Sequence, residues 1–336
     1  MKKYDVYAFA NSIRLMAATA LFGLSAIFVG CGDDDATAVS PNIPTVASFN
    51  ALRQTALESR TQHFDFVANG TSVTVTSEKG VTITINTSCL TLNGASVTGN
   101  LDLDFVEIFD GGDMAVTNKT TRGVNADGDL AMLVSGGEFF IGVYKDGQKV
   151  DVSCGINIVV PANLSGGVDQ DMTLWNAVES DTLATPDVIW NPIVPTPQGN
   201  FLNNEGSFYF AFLQDFGWVN CDRFYSFTGP KTTILVDVPE IYNNQNCSVY
   251  LSYDGEGSAL ANLDHYTTDG YFSEHYGQVP VGLACHVIFI SEDNGNYRYA
   301  IKPVTISEGD IVTISLSETV TGTEAQLVSA INAAQE

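Results

Sequence analysis

Positive charge is what this sequence has least of. Fourteen Lys and Arg stand against 39 Asp and Glu in 336 residues, a formal charge of −25. So acidic a surface repels phosphate backbones, which excludes nucleic-acid binding. It equally repels anionic lipid headgroups, so no basic patch can hold the chain to a membrane. Histidine is scarce too: four scattered residues, with no Cys-x-x-Cys, offer no zinc site of ordinary spacing. No Gly-x-Ser-x-Gly elbow, phosphate loop or dinucleotide fingerprint occurs, and no cofactor is expected. Disorder is excluded as well, because 45% of the residues are apolar and only 16% are charged.

The chain has one long uncharged apolar run, LMAATALFGLSAIFVGCG at 15–32. Lys2, Lys3 and Arg14 precede it, Gly30 stands before Cys31, and Asp33, Asp34 and Asp35 follow. A basic start, an apolar middle and a small residue at a cut form the layout of a secretory signal. Phe28-Val29-Gly30-Cys31 resembles the lipobox of bacterial lipoproteins, with Phe28 where that family favours Leu. The resemblance implies that residues 1–30 are a signal peptide and that Cys31 becomes the lipidated first residue. The acidic triplet is similar to the signal that sends some lipoproteins to the outer face of the outer membrane. A transmembrane helix is the competing reading. A terminal cysteine backed by three aspartates suits a solvated tether better. Several acyl chains would then supply the anchoring that one cannot. Solubility in a salty habitat is a second explanation of the acidity.

The remaining cysteines fit an oxidising compartment. Cys89 and Cys154 fall in one half and can close a loop worth about 4 kcal/mol on the chain-entropy model. Cys221, Cys247 and Cys285 allow one pair and one free thiol, in three ways that sequence does not separate.

Residues 31–48 read as a flexible, proline-punctuated tether. Ser48 can cap a short helix over 49–60, with Leu52, Ala56 and Leu57 on one face. From His63 the pattern has period two: TSVTVTS, GVTITIN, LDLDFVEIF, EFFIGVY and INIVV lie between turn residues. Asp127-Gly128 and Asp146-Gly147 are tight-turn signals. Four prolines in PDVIWNPIVPTP (186–197) suggest a linker over 181–200. SFYFAFL, TTILVDV, SVYLSY, CHVIFIS, YRYAIKPV and DIVTISL follow, and Thr321 with Glu324 can cap a last helix whose stripe is Leu327, Val328 and Ile331. The expectation is a mainly all-β chain of two β-sandwich domains, 49–180 and 201–336, with short helices at both ends of the mature chain.

GVTITIN (80–86), GNLDLDFVEIFDGGDM (99–114), SGGEFFIGVYKDGQKV (135–150) and VPANL (160–164) together resemble the ZU-type domain of netrin receptors, ankyrins and zonula-occludens scaffolds. They are similar also to bacterial surface lipoproteins with the same run of motifs. The resemblance covers about half the mature chain and implies a β-sandwich, with a UPA-type sandwich as the second half. Asn86 stands where the eukaryotic pattern has proline. Function does not follow from such a likeness.

Three places invite chemistry. The aromatic stretch 201–227 reads as a sugar platform or as a core strand with Phe208, Phe210 and Phe212 inward and Tyr209 opposite; period two favours the core strand. Trp218 and Tyr225 are the candidate ligand-surface residues, and Trp175 and Trp190 candidate plugs of a domain interface. The stretch 263–277 gathers Asp264, His265, Asp269, Ser273, Glu274 and His275 without calcium-loop or helical His spacing. Some ZU–UPA proteins cut themselves at a Phe-Ser bond near a histidine; Phe272-Ser273 with His265 and His275 superficially matches, and a polar surface loop accounts for the same residues. Residues 125–129 have a calcium-loop flavour but no distal Glu, so a tight turn is the better reading.

The expected function is that of a non-enzymatic binding or scaffold module, membrane-anchored through lipid and surface-displayed, for a protein or glycan partner. The alternatives are a self-cleaving or hydrolytic protein using 263–277, and an accessory subunit of an envelope or secretion complex.

Overall fold

Short alternating apolar segments make about half of the described residues strand, in four sizeable sheets and one small one. The computed structural model describes residues 42–177, 186–196 and 199–336. The expected signal peptide, Cys31 and most of the tether lie outside the described residues, as does part of the proline-rich stretch. Among the described residues no helix is long and apolar enough to cross a membrane.

A central eight-stranded sheet is built on two long antiparallel strands, Gly99–Ile108 and Leu130–Lys145. One of its faces packs on an outer five-stranded sheet made of Ser72–Thr76, Thr82–Asn86, Ile156–Pro161, Phe201–Glu205 and Phe208–Leu213. Their shared core holds Ile83, Ile85, Phe105, Phe139, Ile158 and Tyr209. A third sheet, centred on Cys247–Tyr253 and Ala284–Asp293, packs on a fourth centred on Lys231–Asp237 and Phe272–Pro280. Between the central and third sheets lies a middle core that includes three helices: α1 (Val46–Arg60), α2 (Gly111–Thr117) and α3 (Glu324–Gln335). The sixteen residues of Leu130–Lys145 reach all three cores: Phe139 and Ile141 in the first, Leu133 and Phe140 in the middle, Met132 and Val134 in the last. That is why this strand is apolar on both faces instead of alternating.

Thr45 caps α1 in a reciprocal box with Ser48, so the helix begins three residues ahead of the expected Phe49. Thr323 with Gln326, in place of Thr321 with Glu324, does the same for α3. Asp146-Gly147 turns with both residues at positive φ, as the tight hairpin needs. At 125–129 only Gly128 does so, and the Asn125 side chain accepts from the N–H groups of Asp127 and Asp129.

The proline-rich stretch does not divide the sheets. Trp190–Pro192 is itself a strand, paired with Thr173–Ala177. After it, Phe208–Leu213 joins the outer sheet and Gly217–Phe224 the central one. The strands expected to open the second domain therefore complete the first pair of sheets, and the third and fourth sheets take their strands from Lys231 onward. Proline is tolerated here because the strand is short and ends at Pro192.

Phe208 and Phe210 point outward and Tyr209 inward, the reverse of the expected phase. Ala211 and Tyr209 face the core opposite Ile158 and Val160, and the Tyr209 hydroxyl donates to Gly167 O while accepting from the N–H of Asp169. SFYFAFL is apolar in both phases, so period two could not orient it.

Candidate functional site

Cys89 and Cys154 form a disulfide with their Cα atoms 5.7 Å apart, closing the end of a small ladder in which Asp151 and Val152 pair with Thr91 and Leu90. Cys221, Cys247 and Cys285 are all free thiols buried in the cores, so none of the three possible pairings among them forms. They sit on separate strands facing apolar neighbours, and burial pushes their thiols upward.

The 263–277 stretch is no loose loop. His265–Tyr266 pairs with Phe272–Pro280, setting His265 opposite Ser273, and Leu235 flanks Ser273 on the other side. Phe272 is core, edge-on to Tyr266. Ser273 is buried, and its hydroxyl donates to the Glu274 carbonyl at 3.1 Å. The His265 and His275 rings lie against each other at a tilt of 43°, 4.6 Å between centroids. Asp264 is committed to Arg122 at 2.9 Å. The Glu274 carboxylate collects the N–H groups of Tyr276 and Gly277, while burial pushes it up to about 7. Among the described residues no group of three or more His, Cys, Asp or Glu is arranged to hold a metal ion.

Of the two aromatic candidates, Trp218 is buried, tilted against Phe140 in the middle core. It belongs to a strand packed on both faces, which its nearness to a loop did not reveal. Trp175 and Trp190 are buried in the same core, donating their indole N–H groups to Asp222 O and Thr120 O.

Tyr225 lines a real groove, a cleft of about 710 Å³ where the central sheet's strand Gly217–Phe224 ends. Asp169, Asp171, Arg223, Phe224 and Glu256 share its wall. Four of these residues are held by their neighbours: Asp169, Arg223, Phe224 and Tyr225. Arg223 Nε meets Asp169 Oδ2 at 2.6 Å, and the Asp169 side chain also accepts from the N–H of Asp171 at 2.9 Å. These two contacts keep the Asp169 carboxyl below the usual range. Phe224 stands edge-on to Trp175 at 5.1 Å and Tyr225 edge-on to Tyr253 at 4.8 Å. Burial raises Glu256 against the pull of Arg223. A second cleft of about 410 Å³, reaching Asp110 and Ser258, shares Asp169, Arg223 and Glu256 with it. The arrangement offers fixed hydrogen-bonding groups beside aromatic edges, the chemistry of recognition. The sequence signal was only the aromatic density around 224–227; Asp169 and Glu256 come from distant segments.

A second polar cluster is sealed inside. Glu138 and Asp222 are fully buried on neighbouring strands, with Asn220 opposite Glu138 in register. Asp222 Oδ2 accepts from Asn220 at 2.6 Å, and Ser135 donates to Asn220 Oδ1. Lys119, also buried, donates to Pro186 O at 2.6 Å and lies 5.1 Å from the Trp218 ring centroid. Nothing in the sequence marked these residues as core.

Compared with known proteins, the chain matches no family model and no curated sequence.

Proposed function

We propose that this chain is a cell-envelope lipoprotein, held by lipid on Cys31 and displayed at the outer-membrane surface, whose folded part is a non-enzymatic binding module for a glycan or protein partner. The order of Lys2, Lys3, the apolar run, Gly30, Cys31 and Asp33–Asp35 supports the anchor. The fold is read as two sandwiches, the outer and central sheets forming a ZU-like unit and the third and fourth sheets a UPA-like one. In favour of this, the four segments that carry the resemblance all fall in the outer and central sheets or just beyond their strands.

The observation that carries the binding role is the groove at Arg223, Phe224 and Tyr225, whose walls are fixed by ion pairing and edge-on ring contacts before any partner arrives. Preorganised walls reduce the ordering cost of association. A glycan array and a pull-down from intact cells test the reading, with Tyr225→Ala as comparison. Specific capture lost in that variant supports it; no capture in either format sinks it. The anchor has its own test. Cys31→Ala should turn a membrane-bound, surface-shaved protein into a soluble or uncleaved one, and unchanged fractionation contradicts the lipidation.

A further inference from the structure

The outward face of the outer sheet is almost free of charge on a protein of formal charge −25. One row crosses all five strands: Thr74, Thr84, Asn157, Phe212 and Phe201, each paired with the next. The row beside it runs Thr76, Thr82, Val159, Phe210 and Asn203. Beyond that, Pro161 and Phe208 lead to Glu205, the one carboxylate, at a corner. Phe201, Phe208 and Phe210 are 45%, 41% and 37% exposed, and Phe201 stacks on Phe212 at 5.5 Å. Thr74 and Thr84 join hydroxyls at 2.8 Å. Half the face is thus a phenylalanine ladder and half a lattice of hydroxyls and amides, at strand spacings of about 4.8 Å.

Clustered exposed aromatics on a sheet face mark an interaction surface, and charge narrows what can cover it. A polyanion is repelled by the molecule as a whole, and a polycation is drawn to its acidic remainder. A second copy is a poor occupant. Five strands by five residues span about 400 Å², so a face-to-face pair buries about 800 Å², short of the roughly 1,200 Å² of a stable interface. The bilayer is not the occupant either. Half of the face is Thr and Asn, whose hydroxyls and amides a hydrocarbon surface would leave without partners. What remains is an uncharged partner that alternates C–H surface with hydroxyls.

We propose that this face binds a neutral polysaccharide laid flat across the five strands, pyranose C–H surfaces on Phe201, Phe208, Phe210 and Phe212 and hydroxyls on the Thr and Asn rows. The proposal deepens the binding-module reading and rests on it, while using a surface separate from the groove.

The test is co-sedimentation of the full chain, in mild detergent, with suspended cellulose and chitin, and with alginate gel as the charged control. Depletion by cellulose or chitin, at least tenfold weaker for Phe208→Thr/Phe210→Thr, is expected; threonine keeps the strand propensity. Thr84→Lys, which puts a charge among the hydroxyls of the face, should weaken it similarly and serves if the double variant unfolds. Glu308→Gln, at an exposed position away from both surfaces, should bind these polymers as the unaltered chain does, and Tyr225→Ala is run beside it. Binding lost only in Tyr225→Ala overturns the face and leaves the groove reading standing. No depletion by either neutral polymer, preference for alginate, or a two-chain species abolished by the Phe substitutions each overturns the face, while the array and pull-down decide the groove independently.

Discussion

Arg60 and Glu324, 264 residues apart in sequence, meet at 2.8 Å. One ends α1 and the other begins α3, so the first and last helices of the described fold are joined through one guanidinium. The same group holds Asp113 of α2 at 2.7 Å, and the Arg60 and Asp113 side chains are each 15% exposed. Removing the cation takes Glu324's ion-pair partner and leaves Asp113 only the longer 3.8 Å contact with Lys79, in a partly dry site. Arg60→Ala should therefore destabilise the fold by about 2–4 kcal/mol, read as a lower urea midpoint at unchanged slope. A shift within error would mean that the middle core alone holds the helices.

How much of this was written in the sequence differs from place to place. The β character was legible because alternation is a local property, and TSVTVTS or GVTITIN carries it without help. The Cys89–Cys154 bridge was legible as a candidate because those two cysteines alone share a half. The phase of SFYFAFL was not, since both of its faces are apolar and only the hydroxyl partners of Tyr209 decide between them. The break between sheet pairs was misplaced for a related reason: proline reports what a strand cannot do, not which sheet the next strand joins. The groove was hidden most deeply, because Asp169 and Glu256 reach Arg223 only through the folded topology.

The disulfide carries a separable share of stability. It closes a loop of sequence separation 65, worth about 4 kcal/mol if all of it comes from the unfolded state. Reductant, or Cys89→Ala with Cys154→Ala, should lower the thermal midpoint by several degrees. Cys221, Cys247 and Cys285 are buried, so thiol reagents should label them only as the protein unfolds. Rapid labelling of the native protein, or a midpoint indifferent to reduction, contradicts this assignment.

The Phe272–Ser273 peptide lies within a strand hydrogen-bonded on both sides. Backbone acyl shift requires the serine hydroxyl to leave its contact with Glu274 O and the strand to distort. The purified chain should run as one band on a denaturing gel, and Ser273→Ala should change neither band nor midpoint by much. Two fragments meeting at residue 272, abolished by Ser273→Ala, would restore the self-cleavage reading.

Glu138 makes the fold sensitive to alkali. Burial pushes its carboxyl up to about 8 from 4.5, with Asp187 adding to the rise and Lys119 opposing it. Asp222 beside it moves in the same direction, also through burial. Neither Glu138 oxygen, nor Asp222 Oδ1, has a hydrogen-bond partner among the described residues, so the neutral acid is the form the site tolerates. Between pH 4.5 and about 8 the folded chain keeps a proton that the unfolded chain has released. Stability is then greatest below that window and falls as pH rises through it. Glu274, raised to about 7, works in the same sense. Lys119 works oppositely and higher: burial lowers it from 10.5 to about 8, so above pH 8 the unfolded chain holds the extra proton and stability recovers toward 10.5. The thermal midpoint should decline from pH 5 to pH 8. In Glu138→Gln the decline should be shallower but not abolished, since Asp222 and Glu274 still titrate. A midpoint flat over that range, or an identical slope in the variant, would mean that water or a bound ion reaches Glu138 and keeps it charged.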